Sequence, residues 1–391
     1  MNIKYPLAKE TINDQDINAL CEWLKGSPRL TKGDLTLQVE KRWAEYIGTS
    51  HAAFCNSGSS ANLLMIYAAY LAGKIKNKKV VVPAVGWVTT IAPILQFGLE
   101  PIMIGTDPQT YGMDLDQLEE VCKKDKPDAV IFVQALGVPH HKEKLLALKE
   151  QYNFLLMEDG CAALGAEYSD GSKVGTVGDM SSFSFYFGHQ LSTIEGGMVN
   201  TNNKDLFDML MLLRSHGWAK DLDQEAYSKL IKDHGIDDFH KPFTFFVPGF
   251  NLRSTDLQAF IGLRQIEKAD WVAQRRYENH LRYAQNLKGF VEFQNWGDNK
   301  PVSISFGALA ESTAQRKEIV TRLVKEGIET RIYSAGNLGR HPFWVEKYDQ
   351  FEDPMSDKIH DKGFFIPNYP ELSLDEVDFI SSVVKGENVL A

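Results

Sequence analysis

Cysteine is scarce in this sequence of 391 residues, which contains only four. Cys21, Cys55, Cys122 and Cys161 are scattered along the chain, and no two of them form a CxxC pair. This spacing argues against a disulfide framework, a zinc knuckle and a cysteine-ligated iron–sulfur cluster. We therefore expect reduced, mostly buried thiols, no metal site and no iron–sulfur cluster.

Long apolar runs and an excess of positive charge are also lacking. No apolar run approaches the roughly 20 residues that span a bilayer, and the opening MNIKYPLAKE has no basic stretch followed by an apolar core. We predict a protein of the cytoplasm, not of the membrane. A net charge of -10 would repel a nucleic-acid backbone, so we expect no nucleic-acid partner. A phosphorylated small molecule can still bind where backbone N–H groups or a few cations face it.

Short β-rich runs alternate with helical stretches through the first half of the chain. The runs KVVVPA, PIMIG, DAVIFVQ and FLLMED are separated by helical patterns such as LDQLEEVC and KLLALKEQY. Because parallel strands need crossover connections, this alternation predicts an α/β fold with a mostly parallel sheet covered by helices. The length favours two domains. We predict an N-terminal helical segment over residues 1–30, a large α/β domain over 31–269 and a smaller C-terminal α+β domain over 270–391.

Two segments near the predicted domain boundary have patterns of their own. Residues 220–246 are mixed in charge, which predicts a long loop that acts as a lid or a subunit contact. Residues 255–287 keep helical apolar spacing throughout, which predicts one long amphipathic helix that leads into the smaller domain.

Two motifs suit a phosphate-bearing aromatic ligand. In NSGSSAN, Gly58 allows close backbone approach, and Ser59 and Ser60 offer hydroxyl and N–H groups at the positive end of a helix, although an ordinary helix N-cap is the more common explanation of such a motif alone. In PAVGWVTT, Trp87 follows a strand at the edge where α/β sheets bind ligands, although a lone tryptophan is more often core.

Two further motifs carry charge and titratable groups. The apolar run FLLMED ends in Asp159, and a carboxylate there can keep a pyridine nitrogen protonated or can simply stabilise a turn. In FSFYFGHQLSTIEGGM, Ser184 stands five residues before His189, and the EGG triplet begins six residues after it.

Together these motifs resemble the DegT/DnrJ/EryC1/StrS family of sugar aminotransferases that use pyridoxal 5'-phosphate (PLP), and the resemblance covers nearly the whole chain. It implies the aspartate-aminotransferase fold, fold type I among PLP enzymes, and a homodimer with shared active sites. It also implies roles for single residues. By this resemblance, Asp159 would contact the ring nitrogen of the cofactor and Trp87 would stack on its ring. Its phosphate would be bound by Gly58, Ser59, Ser60 and Ser184. Asn251 would contact the phosphate across the dimer interface.

His189 stands where that family carries the lysine that bonds covalently to the cofactor. The flanking motif is intact around it, so a mere core histidine is the weaker explanation. A histidine cannot hold the cofactor covalently, but it can act as a general base. The resemblance then implies that L-glutamate converts bound PLP to pyridoxamine 5'-phosphate, with His189 moving the proton.

The segments NSGSSANLLMI, VVVPAVGW, RSHGW, FVPGFNLR and TIEGGM are similar to a lysine-to-histidine subgroup of this family, the GDP-4-keto-6-deoxymannose 3-dehydratases. This similarity implies removal of the C3 hydroxyl from a nucleotide-linked 4-keto-6-deoxyhexose in lipopolysaccharide or O-antigen biosynthesis. It also implies that AGNLGRHPFW lies near the sugar, where Arg340 and His341 contact the substrate or remain on the surface.

Ala162 departs from the pattern, because the subgroup carries an acidic residue three positions after the aspartate. The departure keeps a second hypothesis open, in which the chain is an aminotransferase that moves the amine of glutamate onto a keto sugar, for example in forming 8-amino-3,8-dideoxy-octulosonate. A third hypothesis is a catalytically silent protein that only binds the cofactor or an effector, and the intact Asp159 and Ser184 argue against it.

Overall fold

The computed structural model describes residues 3–387. The α-helices are α1 (Asp14–Lys25), α2 (Asp34–Ile47), α3 (Gly58–Leu71), α4 (Val88–Gln96), α5 (Leu115–Asp125), α6 (Lys142–Tyr152), α7 (Lys204–Arg214), α8 (Gln224–Asp233), α9 (Asp256–Ile266), α10 (Ala269–Leu287), α11 (Thr313–Lys325), α12 (Pro342–Val345), α13 (Pro354–Lys362) and α14 (Leu374–Lys385). The strands are β1 (His51–Cys55), β2 (Lys79–Pro83), β3 (Glu100–Ile104), β4 (Ala129–Val133), β5 (Leu155–Asp159), β6 (Met180–Ser184), β7 (Gly197–Thr201), β8 (Ser305–Leu309) and β9 (Gly363–Pro367).

A seven-stranded sheet forms the larger part of the molecule, with strand order β1-β7-β6-β5-β4-β2-β3. Pairing from β3 through β6 is parallel, and β7 is antiparallel to both of its neighbours. The prediction of a mostly parallel α/β sheet is therefore confirmed. Because β1 and β6 both run opposite to β7, the carboxyl ends of β1, β2, β5 and β6 meet at one edge of the sheet. This edge carries the site described below.

Helices cover both faces of this sheet, which explains why its central strands are almost continuously buried. On one face α2, α5 and α6 bury residues such as Trp43, Leu118 and Leu148. On the other face α3, α4 and α7 bury residues such as Leu64 and Ile94. The two apolar layers fix the helix positions, and with them the helix ends that face the carboxyl edge of the sheet.

The C-terminal part contains a two-stranded antiparallel sheet of β8 and β9 that packs with α10, α11 and α14 around a separate core. A fourth apolar cluster, which includes Val85, Leu136, Leu309 and Tyr333, joins this part to the loops at the carboxyl edge of the large sheet. This arrangement fits the expected smaller α+β domain. The predicted boundaries at residues 30 and 269 remain predictions.

The prediction of one long helix over residues 255–287 was wrong. The segment forms α9 and α10, which are separated by Glu267 and Lys268. The Lys268 N–H donates to the carbonyl of Gln265, three residues back, so the regular i to i−4 ladder is interrupted. The break lets the side chains of both Gln265 and Lys268 reach Asp16 of α1, and so ties α1 to the rest of the chain.

The expected long loop over residues 220–246 was also wrong in part, because it contains α8 and two short 3-10 turns. The Asp223 carboxylate caps α8 by accepting from the Ala226 N–H at 2.8 Å. Ile231 is buried on the inner face of α8. The suggested role as a lid or a subunit contact remains a prediction.

Among residues 3–387, no helix is long and apolar enough to cross a membrane. The same residues contain no group of three histidine, cysteine or carboxylate side chains that could hold a metal ion.

Candidate active site

Asp159 lies at the carboxyl end of β5 and is almost completely buried. Its Oδ2 accepts from Asn62 Nδ2 at 2.9 Å and from Thr90 Oγ1 at 2.7 Å. Its Oδ1 accepts from the Cys161 N–H at 3.1 Å. Since Asn62 belongs to α3 and Thr90 to α4, this carboxylate ties the N-terminal parts of two helices to the end of a strand.

The N-terminus of α3 forms a small polar cradle beside this carboxylate. Ser57 caps the helix, and its Oγ accepts from the Ser60 N–H at 3.0 Å. A Cβ on Gly58 would lie 2.5 Å from Ser184 Cβ, so only glycine lets α3 approach β6 this closely. Ser59 is exposed. The first N–H groups of a helix lack intrahelical acceptors, so this end of α3 is suited to an anion.

The last glycine of the EGG triplet, Gly197, is required by close backbone packing. It starts β7 and pairs with both Cys55 and Ser184, so it lies between the ends of β1 and β6. A Cβ there would lie 2.1 Å from the Ser57 carbonyl oxygen and 2.7 Å from the Gly58 nitrogen. The missing side chain therefore leaves room for the cradle.

Trp87 is the N-cap residue of α4, and 59% of it is exposed. The Thr90 N–H donates to the Trp87 carbonyl at 3.1 Å, and Thr90 Oγ1 also contacts Asp159. Trp87 thus precedes by one helical turn the residue that contacts the carboxylate, at the mouth of the site. An exposed tryptophan at this edge has a free ring face for stacking.

His189 lies in a turn after β6, where its N–H donates to the Tyr186 carbonyl at 2.9 Å. The adjacent Gln190 anchors this turn, because its Nε2 donates to the carbonyl oxygens of Ala162 (2.5 Å) and Val302 (3.0 Å). The turn is therefore fixed against the loop that follows Asp159.

The surroundings of the His189 ring lower its pKa. Among the described residues, its Nδ1 is enclosed and makes no close hydrogen bond, while the Cys161 backbone lies near enough to the ring to favour its protonated form. Burial lowers the pKa of His189 to about 4, and the buried Arg276 guanidinium lowers the pKa further while the Asp159 carboxylate opposes the shift. The imidazole is accordingly neutral at pH 7 and able to accept a proton.

Ala162 contributes only its backbone to the interactions described, through the carbonyl that accepts from Gln190. A Cβ on Gly137 would lie 2.6 Å from that same carbonyl oxygen, so the backbone is tightly packed here. The methyl side chain adds no polar group to the site.

Asn251 is exposed, and its Oδ1 accepts from Arg253 Nε at 3.1 Å. Its backbone pairs with Ser215, while the neighbouring Arg253 pairs with Cys55 at the end of β1. The segment therefore runs beside the strand that leads into the cradle. A reach across a dimer interface remains a prediction.

Arg340 and His341 make their described contacts within the C-terminal part. Arg340 Nη1 lies 3.1 Å from Asp361 Oδ1, and His341 Nε2 lies 2.8 Å from the Ala335 carbonyl oxygen. The segment before them does reach the mouth, because Ser334 Oγ donates to the Gly86 carbonyl, next to Trp87. A substrate role for the two side chains remains a prediction.

The structure thus brings together seven of the predicted residues: Gly58, Ser59, Ser60, Trp87, Asp159, Ser184 and His189. Sequence reasoning missed the polar residues that hold them, which are Asn62, Thr90, Ser182 and Gln190. One signal was visible, since Asn62 interrupts the otherwise apolar run ANLLMIYAAYL. The other three gain their meaning only from tertiary contacts.

These residues fit PLP. The group needs an anion cradle, a flat surface against its ring and a carboxylate near its ring nitrogen. The N-terminus of α3 with Ser184, the exposed Trp87 and the buried Asp159 have these properties. The enclosed Nδ1 of His189 is a further polar group at this site.

Comparison with known proteins identifies relatives over nearly the full length. Residues 11–385 match the DegT/DnrJ/EryC1/StrS aminotransferase family. GDP-4-keto-6-deoxy-D-mannose 3-dehydratase of Yersinia pseudotuberculosis is 31% identical over 383 residues, which cover 96% of each chain. GDP-perosamine synthase of Escherichia coli O157:H7 is 27% identical over 97% of each chain. A crystal structure of GDP-4-keto-6-deoxymannose-3-dehydratase with a trapped PLP–glutamate adduct covers 97% of this chain and 100% of its own, with 26% identity and a TM-score of 0.87.

The chain therefore belongs to the DegT/DnrJ/EryC1/StrS aminotransferase family. The expected enzyme class and the PLP fold of type I are confirmed.

Proposed function

We propose that this member of the DegT/DnrJ/EryC1/StrS family is a PLP-dependent dehydratase that removes the C3 hydroxyl from a nucleotide-linked 4-keto-6-deoxyhexose, with L-glutamate as the source of electrons. The observation that carries the proposal is His189, a neutral base at the position where the family carries its covalent lysine, beside residues that suit the phosphate, the ring and the ring nitrogen of the cofactor. The likeness to the Yersinia pseudotuberculosis dehydratase supports the choice of substrate.

Three groups of residues would hold the cofactor without a covalent bond. The N-terminus of α3 with Ser184 would bind the phosphate, Trp87 would stack on the ring, and Asp159 would face the ring nitrogen. When bound, PLP supplies an electron sink that stabilises negative charge at the carbon beside the reacting amine.

His189 would take up and return the proton that such chemistry requires. Its neutral imidazole has an available lone pair at pH 7, since burial lowers its pKa to about 4. Because Nδ1 is enclosed, we assign the proton transfer to Nε2. A neutral imidazole does not compete with glutamate for the cofactor's carbonyl carbon, as a lysine amine would.

The overall reaction balances without a further reductant. One glutamate and one keto sugar give 2-oxoglutarate, ammonia and a keto sugar that has lost one oxygen atom. Glutamate is oxidised, the sugar carbon is reduced, and the nitrogen leaves as ammonia.

The second candidate is an aminotransferase that leaves the nitrogen on the sugar. Ala162 favours it, because this position gives the site no acidic side chain to assist a departing hydroxyl. The likeness to the Escherichia coli O157:H7 perosamine synthase also supports it. The octulosonate example remains one possible substrate of this class.

We also infer that the enzyme works as a homodimer in the cytoplasm, in lipopolysaccharide or O-antigen biosynthesis. An exposed aromatic surface supports the dimer, since Phe239, Phe243 and Phe245 of the 220–246 segment are 87%, 73% and 54% exposed. Asn251 would then contact the phosphate bound by the partner subunit.

Mass spectrometry of the sugar product tests the proposal. The protein is incubated with PLP, L-glutamate and either GDP-4-keto-6-deoxymannose or an 8-keto octulosonate. A product that has lost one oxygen atom and gained no nitrogen, with one ammonia per turnover, supports dehydration. A sugar that has gained an amine instead establishes the aminotransferase, and no turnover of glutamate refutes both.

A further inference from the structure

Asn62 is a polar residue on the buried face of α3, where its neighbours Ala61, Leu64 and Met65 are wholly buried apolar residues. An amide in such surroundings is destabilising unless its hydrogen bonds are satisfied. Both ends of this amide are satisfied, and both partners belong to the cofactor site.

Ser182 of β6 determines which way the amide points. Its Oγ donates to Asn62 Oδ1 at 2.5 Å, so the amide oxygen faces β6. The Nδ2 group then faces Asp159 and donates to Oδ2 at 2.9 Å. All three side chains are buried, which keeps water from replacing these bonds.

The spacing of α3 against β6 fixes this contact. Gly58 and Asn62 are four residues apart on α3, about 6 Å along the helix. Ser184 and Ser182 are two residues apart on β6, about 6.6 Å along the strand. Gly58 packs on Ser184 while Asn62 contacts Ser182. The spacing of the two residues along the helix therefore nearly equals the spacing of their partners along the strand.

The hydrogen bonds to Asp159 are unequal. Among the described residues, Oδ2 accepts from two side chains, Asn62 and Thr90, whereas Oδ1 accepts from the Cys161 N–H, and the Cys161 thiol also lies beside the carboxylate. A carboxylate oxygen accepts about two hydrogen bonds. The remaining acceptor position is therefore on Oδ1.

We propose that Asn62 is a positioning residue for the cofactor: it holds the Asp159 carboxylate so that Oδ1 faces the ring nitrogen, and it joins that carboxylate to the phosphate cradle through one helix. This inference rests on the proposed binding of PLP, but not on the proposed reaction. A shift of α3 would move the cradle and the carboxylate together.

The test uses the full-length protein, freed of cofactor, with PLP as the only ligand. Equilibrium dialysis gives the Kd, and 15N-labelled PLP gives the chemical shift of the ring nitrogen at pH 7.5. Asn62→Leu should raise the Kd roughly tenfold and move the 15N signal toward that of an unprotonated ring. Ser182→Ala should change both quantities in the same direction but less.

Asn200→Leu is the matched control. Asn200 is equally buried and also makes two side-chain hydrogen bonds, to Trp43 and Thr49, away from the cradle. The substitution Asn200→Leu should lower the thermal stability without changing the Kd for PLP or the 15N signal of its ring nitrogen.

An unchanged Kd and 15N signal in folded Asn62→Leu would overturn the inference while leaving the proposed function intact. If Asn62→Leu does not fold, Ser182→Ala decides in the same way, because it removes a single hydroxyl. If the parent protein fails to bind PLP, the proposed function and this inference both fall.

Discussion

Gly58→Ala tests the geometry of the phosphate cradle. The added Cβ would lie 2.5 Å from Ser184 Cβ, 2.8 Å from its Oγ and 3.1 Å from its Cα. Carbon atoms in contact prefer about 3.5–4.0 Å, so the N-terminus of α3 must move about 1 Å away from β6. Overpacking of this kind destabilises by about 1–3 kcal/mol, and the better helix propensity of alanine offsets at most about 1 kcal/mol of that.

The same displacement should weaken cofactor binding, because the N–H groups of α3 and the Ser184 hydroxyl would no longer converge on one phosphate. We expect a loss of roughly tenfold or more in PLP affinity by equilibrium dialysis, together with the loss of stability in urea unfolding.

A second substitution separates the two effects. Ser184→Gly removes the Cβ and Oγ that clash but leaves the 3.1 Å contact with the Cα, so adding it to Gly58→Ala should recover part of the stability but not the affinity. Gly26→Ala is the control, since Gly26 has a φ of -73° and its added Cβ would meet only the Trp23 carbonyl oxygen, at 3.4 Å. Full stability and full PLP affinity in Gly58→Ala would refute the reasoning.

Three further predictions concern other parts of the chain. Burial lowers the pKa of His140 to about 4, so below about pH 6.5 the unfolded chain takes up a proton that the folded chain does not. Between pH 7 and pH 5, the free energy of unfolding measured in urea should therefore fall by about 2 kcal/mol less in His140→Phe than in the parent. Identical losses in the two proteins would contradict this. The double variant Phe239→Ser and Phe243→Ser should shift sedimentation from dimer toward monomer, whereas an unchanged dimer would place the interface elsewhere. Gln190→Leu should slow formation of 2-oxoglutarate with little change in PLP affinity, because the bonds to Ala162 and Val302 that it removes position the His189 turn; an unchanged rate would exclude this role.

Local patterns in the sequence predicted the main parts of the site. The small-residue turn before α3, the strand that ends in Asp159 and the motif around His189 each occupy a contiguous stretch of chain. The alternation of apolar runs with helical patterns likewise predicted the strands and helices, because the central strands of the large sheet are buried on both faces.

The supporting polar residues and some helix boundaries could not be predicted, because they depend on contacts between residues that are far apart in the sequence. Thr90 and Gln190 are ordinary polar residues until the fold places them against Asp159 and Val302. The apolar spacing of residues 255–287 continues across the break at Lys268, so periodicity alone could not locate it. Helix α8 was hidden because only one of its residues, Ile231, is buried.

The central claim is that His189 is the base in place of the lysine, and its most direct test is the glutamate half-reaction. Single-turnover formation of 2-oxoglutarate from L-glutamate is measured for the PLP-loaded parent and for His189→Asn, with the PLP Kd of each measured in parallel. We expect the rate to fall by roughly 100-fold or more while the Kd changes little, since the substitution removes the base but leaves the cradle, Trp87 and Asp159. An unchanged rate in His189→Asn, with PLP bound, would contradict the claim.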